Sequence, residues 1–112
     1  MQADEGAPPA WLVFEEAVTE ALEDLAPGDD ALLLTWLDQA DRGVLAVHPR
    51  DDPARPLTGV FSTRSPDRPN PIGLHRVTVT AREDNRVQVQ ALEALDGTPI
   101  IDVKAVLGTE DR

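Results

Sequence analysis

The sequence predicts a mainly β protein, a small antiparallel β-barrel with one amphipathic α-helix near its N-terminus. Three observations carry this expectation. Short apolar runs, several with period-two alternation, recur from Ala31 onward. Tight-turn pairs of Gly, Asp, Asn and Pro separate them. The single 3.6-residue apolar stripe is confined to residues 11–25, so the helices of a doubly wound sheet are missing.

Taken in order, residues 1–10, MQADEGAPPA, are polar and proline-rich and read as a flexible N-terminal segment. From Trp11 the apolar residues Trp11, Phe14, Val18, Ala21, Leu22 and Leu25 fall on one helical face, with Glu15, Glu16, Glu20, Glu23 and Asp24 mostly opposite. Pro27-Gly28 stops that helix. The run Ala31–Leu37 then reads as a buried strand, Val44–His48 as a short apolar one, and Gly59–Thr63 as a third. The prolines of residues 49–58 keep that stretch out of any central ladder. His75–Glu83 alternates Val77 and Val79 with Thr78 and Thr80, Glu83–Asn85 turns the chain, and Arg86–Leu92 alternates again. Asp96-Gly97 is a further turn, and Ile100–Leu107 closes the domain. The barrel domain is thus expected over 11–107, with 108–112 as a tail.

Composition bounds what such a domain does. At 112 residues, 41% hydrophobic and 28% charged, the chain is globular and small enough to draw on a second subunit for buried surface. It has no apolar run near membrane-spanning length and no cysteine, which excludes a disulfide framework, a thiolate nucleophile and a zinc-thiolate site. Without a basic region leading into an apolar one at its start, it reads as cytoplasmic. The net charge of −11 is unevenly placed: residues 1–40 hold ten acidic residues and no Lys or Arg, whereas residues 41–82 hold seven arginines against four aspartates. Local positive charge of this kind fits a small anionic or polar ligand better than a long nucleic-acid footprint.

Two segments concentrate the chemistry. In GVFSTRSPDRPNPIGL, Gly59–Leu74, each proline fixes its own φ and biases the residue before it, giving an irregular but stiff backbone. Arg64 and Arg68 sit in it with guanidinium forks suited to a carboxylate, a phosphate or a ring edge. A proline-stiffened corner between two strands is an equal reading of the residue types alone. In LEALDGTPIIDVK, Leu92–Lys104, Asp102 and Lys104 lie two apart on a strand, share a face, and are placed to pair with each other or with an arginine. His48 and His75 are read as exposed histidines at strand ends, and no metal site is expected.

These two blocks, in this order and spacing, closely resemble the TsaA-like (TrmO-like) family, whose best-understood members are S-adenosylmethionine-dependent methyltransferases of threonylcarbamoyl-adenosine in tRNA. The resemblance runs from about Leu25 to Lys104. It implies a small β-barrel, a homodimer with the cofactor near the subunit interface, and S-adenosylmethionine as cofactor. It further implies that Arg64, Leu74, Asp38, Gln39 and the stretch Ala91, Leu92, Glu93, Ala94 and Leu95 meet the cofactor. Asp38 stands where the family often has His and is the expected catalytic base. Arg68, Asn70, Asp102 and Lys104 are expected to face the acceptor, either a tRNA adenosine or a small molecule. The alternative is a binding or regulatory module that keeps the cofactor pocket without catalysis, motivated by the lack of the family's N-terminal Pro-Arg-Gln strand and of Lys-Pro-Tyr after the last Asp.

Overall fold

The computed structural model describes residues 9–90, 92 and 96–107. Seven strands run through them: β1 (Ala10–Val13), β2 (Asp30–Trp36), β3 (Ala46–Val47), β4 (Thr58–Gly59), β5 (Ile72–Glu83), β6 (Arg86–Gln90) and β7 (Ile100–Ala105). Five of them form one antiparallel sheet in the order β1-β6-β5-β2-β7, and β3 pairs with β4 in a separate two-stranded ribbon.

The mainly β, antiparallel class is the one the alternating runs predict. No pairing joins β1 to β7 among the described residues, so the expected barrel is here an open sheet. It nevertheless curls, because residues of both edge strands line one cavity. Alternation builds the inner face: Leu12, Ala31, Leu33, Val77, Val79, Val87 and Val89 pack into one core, which Leu22 covers from the N-terminal helix.

The N-terminal element differs from the expectation in two ways. Ala10–Val13 is a strand, registered against Val89–Arg86 of β6, and not the first turn of a helix. The helical stripe would bury Trp11, whereas the strand buries Leu12 and leaves Trp11 more exposed, and the free edge of β6 supplies hydrogen bonds that select the strand. The helix that follows, Glu16–Leu22, is of 3-10 and not α type. Its anchor is Leu22, which is buried, whereas Val18 is 45% exposed, so a tight seven-residue turn suffices to lay one side chain on the core.

Other boundaries shift for local reasons. Val44–His48 contracts to Ala46–Val47, and Gly59–Thr63 gives way after Gly59 to a 3-10 turn over Val60–Ser62, whose Val60 carbonyl accepts the Thr63 amide and hydroxyl. β5 begins at Ile72, directly after the buried Pro71, three residues before the expected start. The β5–β6 hairpin turns at Asp84-Asn85, with Asp84 at φ 52°, a conformation that short polar side chains tolerate. Asn85 then binds the Phe14 backbone in both directions and ties the hairpin to the end of β1.

Candidate functional site

Register decides which segments meet. Trp36 at the end of β2 pairs with Ile72 at the start of β5, and Thr35 pairs with Ile100 at the start of β7. The loop after β2, the proline-rich loop before β5 and the Asp96-Gly97 turn before β7 therefore all emerge at one end of the sheet. Backbone bonds fasten them there: Trp36 N–H donates to Pro99 O (3.0 Å) and Leu37 N–H to Pro71 O (2.8 Å).

Side chains stitch the first two loops together. The Asp41 amide donates to Asp67 Oδ1 (2.9 Å). Arg42 donates through Nε to Pro69 O (2.6 Å) and through Nη2 to Asn70 Oδ1 (3.1 Å), with its guanidinium 5.3 Å above the Trp36 ring. Prolines explain the demand for these donors. They leave carbonyls in the stretch without the usual backbone N–H donors, and an arginine side chain substitutes, while the Asp67 carboxylate accepts the Asp41 amide from the neighbouring loop.

The predicted site residues distribute as follows. Asp38 and Gln39 are exposed on the β2 loop. Arg64 is exposed, and among the described residues it donates to no carbonyl or carboxylate. Arg68 turns inward, where its Nη1 donates to Thr63 O and Ser65 O (both 3.1 Å) and its Nη2 to Val60 O (3.0 Å). Asn70 is partly engaged by Arg42. Leu74, 46% exposed, pairs with Leu34, which pairs in turn with Asp102, so these three form a row across the outer face of β5, β2 and β7. Lys104 occupies the next row beside Leu32, and its ammonium lies 3.8 Å from Asp102, as expected for residues sharing a face. Both charges are exposed, so the pair adds little stability. Leu92 packs against the core; Ala91, Glu93, Ala94 and Leu95 lie outside the described residues.

Sequence reasoning missed the inner face of this end. Thr35 is a buried polar residue, and its hydroxyl is 2.9 Å from His75 Nε2. His75 is thus a half-buried partner and not an exposed strand-end histidine, whereas His48 is exposed and holds the Arg55 carbonyl through Nδ1. Gly73 sits between them, and an added Cβ would lie 2.5 Å from Thr35 Oγ1. The available signal was Gly73 itself, since glycine inside a strand marks a close approach.

A cavity of about 840 Å³ opens on the inner face between β1 and β7. Its lining is mostly apolar, with Leu12, Leu33 and Val103 at its walls, and it includes Leu92 and Asp102 but not Asp38, Gln39, Arg64 or Leu74. It is the gap between two unpaired sheet edges; among the described residues its charged lining residues are Glu15, Asp96 and Asp102, and no arginine or lysine lines it. Among the described residues no three His, Cys, Asp or Glu side chains converge as a metal site, and no helix is long and apolar enough to cross a membrane.

Residues 3–112 match the family described as the tRNA-methyltransferase O N-terminal domain. The chain belongs to that family. Solved TrmO structures share the architecture: one superposes with a TM-score of 0.72 at 31% identity over 95% of this chain, and the Pseudomonas aeruginosa protein gives 0.71 at 29%. This chain spans 45% and 44% of those two. Among curated relatives, the probable S-adenosyl-L-methionine-binding protein of Methanocaldococcus jannaschii is 44% identical over 82% of this chain and 75% of its own length. The Pyrococcus horikoshii protein of the same description is 45% identical over 76% of this chain and 63% of its own, and an S-adenosyl-L-methionine-binding protein of Archaeoglobus fulgidus is 49% identical over 65% and 51%.

Proposed function

We propose that this domain binds S-adenosylmethionine at the loop end of the sheet and serves methyl transfer to a nitrogen acceptor. The carrying observation is the convergence of the Asp38, Arg64 and Asp96 loops, far apart in sequence, on one end of the sheet, in a chain whose relatives are named for binding this cofactor.

The residues present fit the group. Of the three arginines at this end, Arg42 and Arg68 are occupied by backbone and side-chain acceptors, and Arg64 alone keeps an open guanidinium among the described residues. A free fork suits the cofactor's carboxylate. The half-exposed Leu74 beside Leu34 offers an apolar surface to the adenine; Gln39 and the stretch 91–95 are the further cofactor contacts this reading assigns. The cofactor supplies an activated methyl on a cationic sulfur, so the protein's task is alignment. Asp38, exposed on its loop, is the base assigned to the acceptor N–H. Arg68, Asn70, Asp102 and Lys104 are the residues first assigned to the acceptor, a tRNA adenosine or a small molecule. A homodimer in the cytoplasm, joined near this site, belongs to the same reading.

Titration calorimetry with S-adenosylmethionine and S-adenosylhomocysteine tests it. Saturable binding that Arg64→Ala weakens at least about tenfold, the worth of one charge-assisted hydrogen bond, is expected; no binding by the wild-type protein refutes it. A second reading, binding without transfer, is favoured by relatives named for binding alone. Labelled methyl transfer into tRNA or a metabolite extract separates the two.

A further inference from the structure

The proline-rich loop contains two arginines four residues apart that behave oppositely. Arg64 points out and Arg68 points in. Arg68 Nη1 bridges the carbonyls of Thr63 and Ser65, the residues on either side of Arg64, while Nη2 holds the carbonyl of Val60. The Phe61 ring packs 6.0 Å from the same guanidinium. Thr63 Oγ1 meanwhile donates to Val60 O (2.9 Å) and accepts from the Ser65 amide (3.1 Å), so the turn closes on itself around one planar fork.

We propose that Arg68 is a positioning residue, whose bridge between Thr63 and Ser65 fixes the backbone on both sides of Arg64 and so aims the Arg64 guanidinium at the anionic group of its ligand. The proposal rests on the reading of Arg64 as a cofactor contact, and it replaces the acceptor-binding role for Arg68. Its logic is geometric. Arg64 itself has no bond to a described residue, so its direction is set only through its backbone. A planar guanidinium reaches three carbonyls at once, whereas the point-like ammonium of lysine does not. Arg68→Lys therefore keeps the charge and loosens the clamp.

Two measurements test this on the full chain. Trypsin reads the clamp without any ligand. Pro69 protects position 68 from cleavage as either Arg or Lys, so loosening appears as faster cutting at the Arg64–Ser65 bond, followed by mass spectrometry. A rise of about tenfold in Arg68→Lys is expected, the order of freeing one residue's backbone; an unchanged rate overturns the clamp. Calorimetry with S-adenosylhomocysteine then reads its consequence. Arg68→Lys is expected to weaken binding about tenfold in the wild-type background and to have no further effect in Arg64→Ala. Additive losses, or no loss in the single variant, overturn the positioning role. If the wild-type protein binds no S-adenosylhomocysteine, the ligand reading and the aiming role fall together while the trypsin result still judges the clamp. Should Arg68→Lys not fold, NMR of the wild-type guanidinium groups decides: separate, slowly exchanging Arg68 protons support the clamp, and averaged signals like those of a free arginine overturn it.

Discussion

Gly73→Ala pits two general effects against each other at one position. In an ordinary strand the alanine stabilises by about 0.4–1 kcal/mol, because it restricts the unfolded chain. Here the new Cβ would lie 2.5 Å from Thr35 Oγ1, 2.8 Å from His75 Nε2 and 3.2 Å from Leu37 Cδ2. Thr35 is only 2% exposed and β-branched, so its hydroxyl cannot turn aside freely. Overpacking of this sort costs about 1–3 kcal/mol, and parting Thr35 from His75 costs about 1 kcal/mol more. The sum is a net loss of about 1–3 kcal/mol, or about 4–12 °C in Tm at the entropy usual for a chain of this length. Urea denaturation followed by tryptophan fluorescence measures it. Thr35→Ala removes the nearest atom, so the double variant should be more stable than the two single losses imply, by about 1 kcal/mol. A Gly73→Ala protein as stable as wild type, or more so, refutes the argument that this strand position is closed to a side chain.

Other substitutions probe other parts of the fold. Leu33→Ala, at the fully buried centre of β2, should cost about 2–5 kcal/mol in the same denaturation assay. Arg42→Ala removes the clip onto Pro69 and Asn70 at an exposed site, and about 1 kcal/mol is expected, with faster amide exchange in residues 38–43 as the local signature. Arg64→Ala should leave unliganded Tm within about 2 °C of wild type and reduce, at a fixed ligand concentration, the shift that S-adenosylhomocysteine produces. Asp30 accepts hydrogen bonds from Thr78 and Arg76, which hold its carboxyl below the ordinary 3.8. Its stabilisation is present above that ordinary value and is lost as pH falls through the lowered one. Asp30→Asn should therefore lower Tm at neutral pH and flatten its decline on acidification below about pH 4; parallel Tm–pH curves for the two proteins contradict this.

Several elements were legible because local pattern and tertiary environment agree. Ala31–Leu37 and the Val77/Val79 alternation become β2 and the centre of β5, since both lie in the middle of the sheet, where one face must be apolar. The Glu83–Asn85 turn holds because a short polar residue accepts the positive φ of Asp84. Residues 11–13 were misread as the start of the helix because so few residues do not fix a period, and the deciding partner, β6, lies more than seventy residues away. His75 was misread because its partner Thr35 is forty residues distant, and neither residue type advertises the bond.

The sequence by itself determined the antiparallel β class, the uneven charge, and the stiffness of the loop that carries Arg64 and Arg68. These follow from side-chain periodicity and from the fixed φ of proline, both of which are local properties. Only the tertiary structure decided that the loops of Asp38, Arg64 and Asp96 share one end of the sheet, because that depends on the register of β2 with β5 and β7. It also decided which arginine is open. Arg64 and Arg68 have the same chemistry on paper, and what divides them is the position of three backbone carbonyls, which a folded turn places within reach of one guanidinium and not the other.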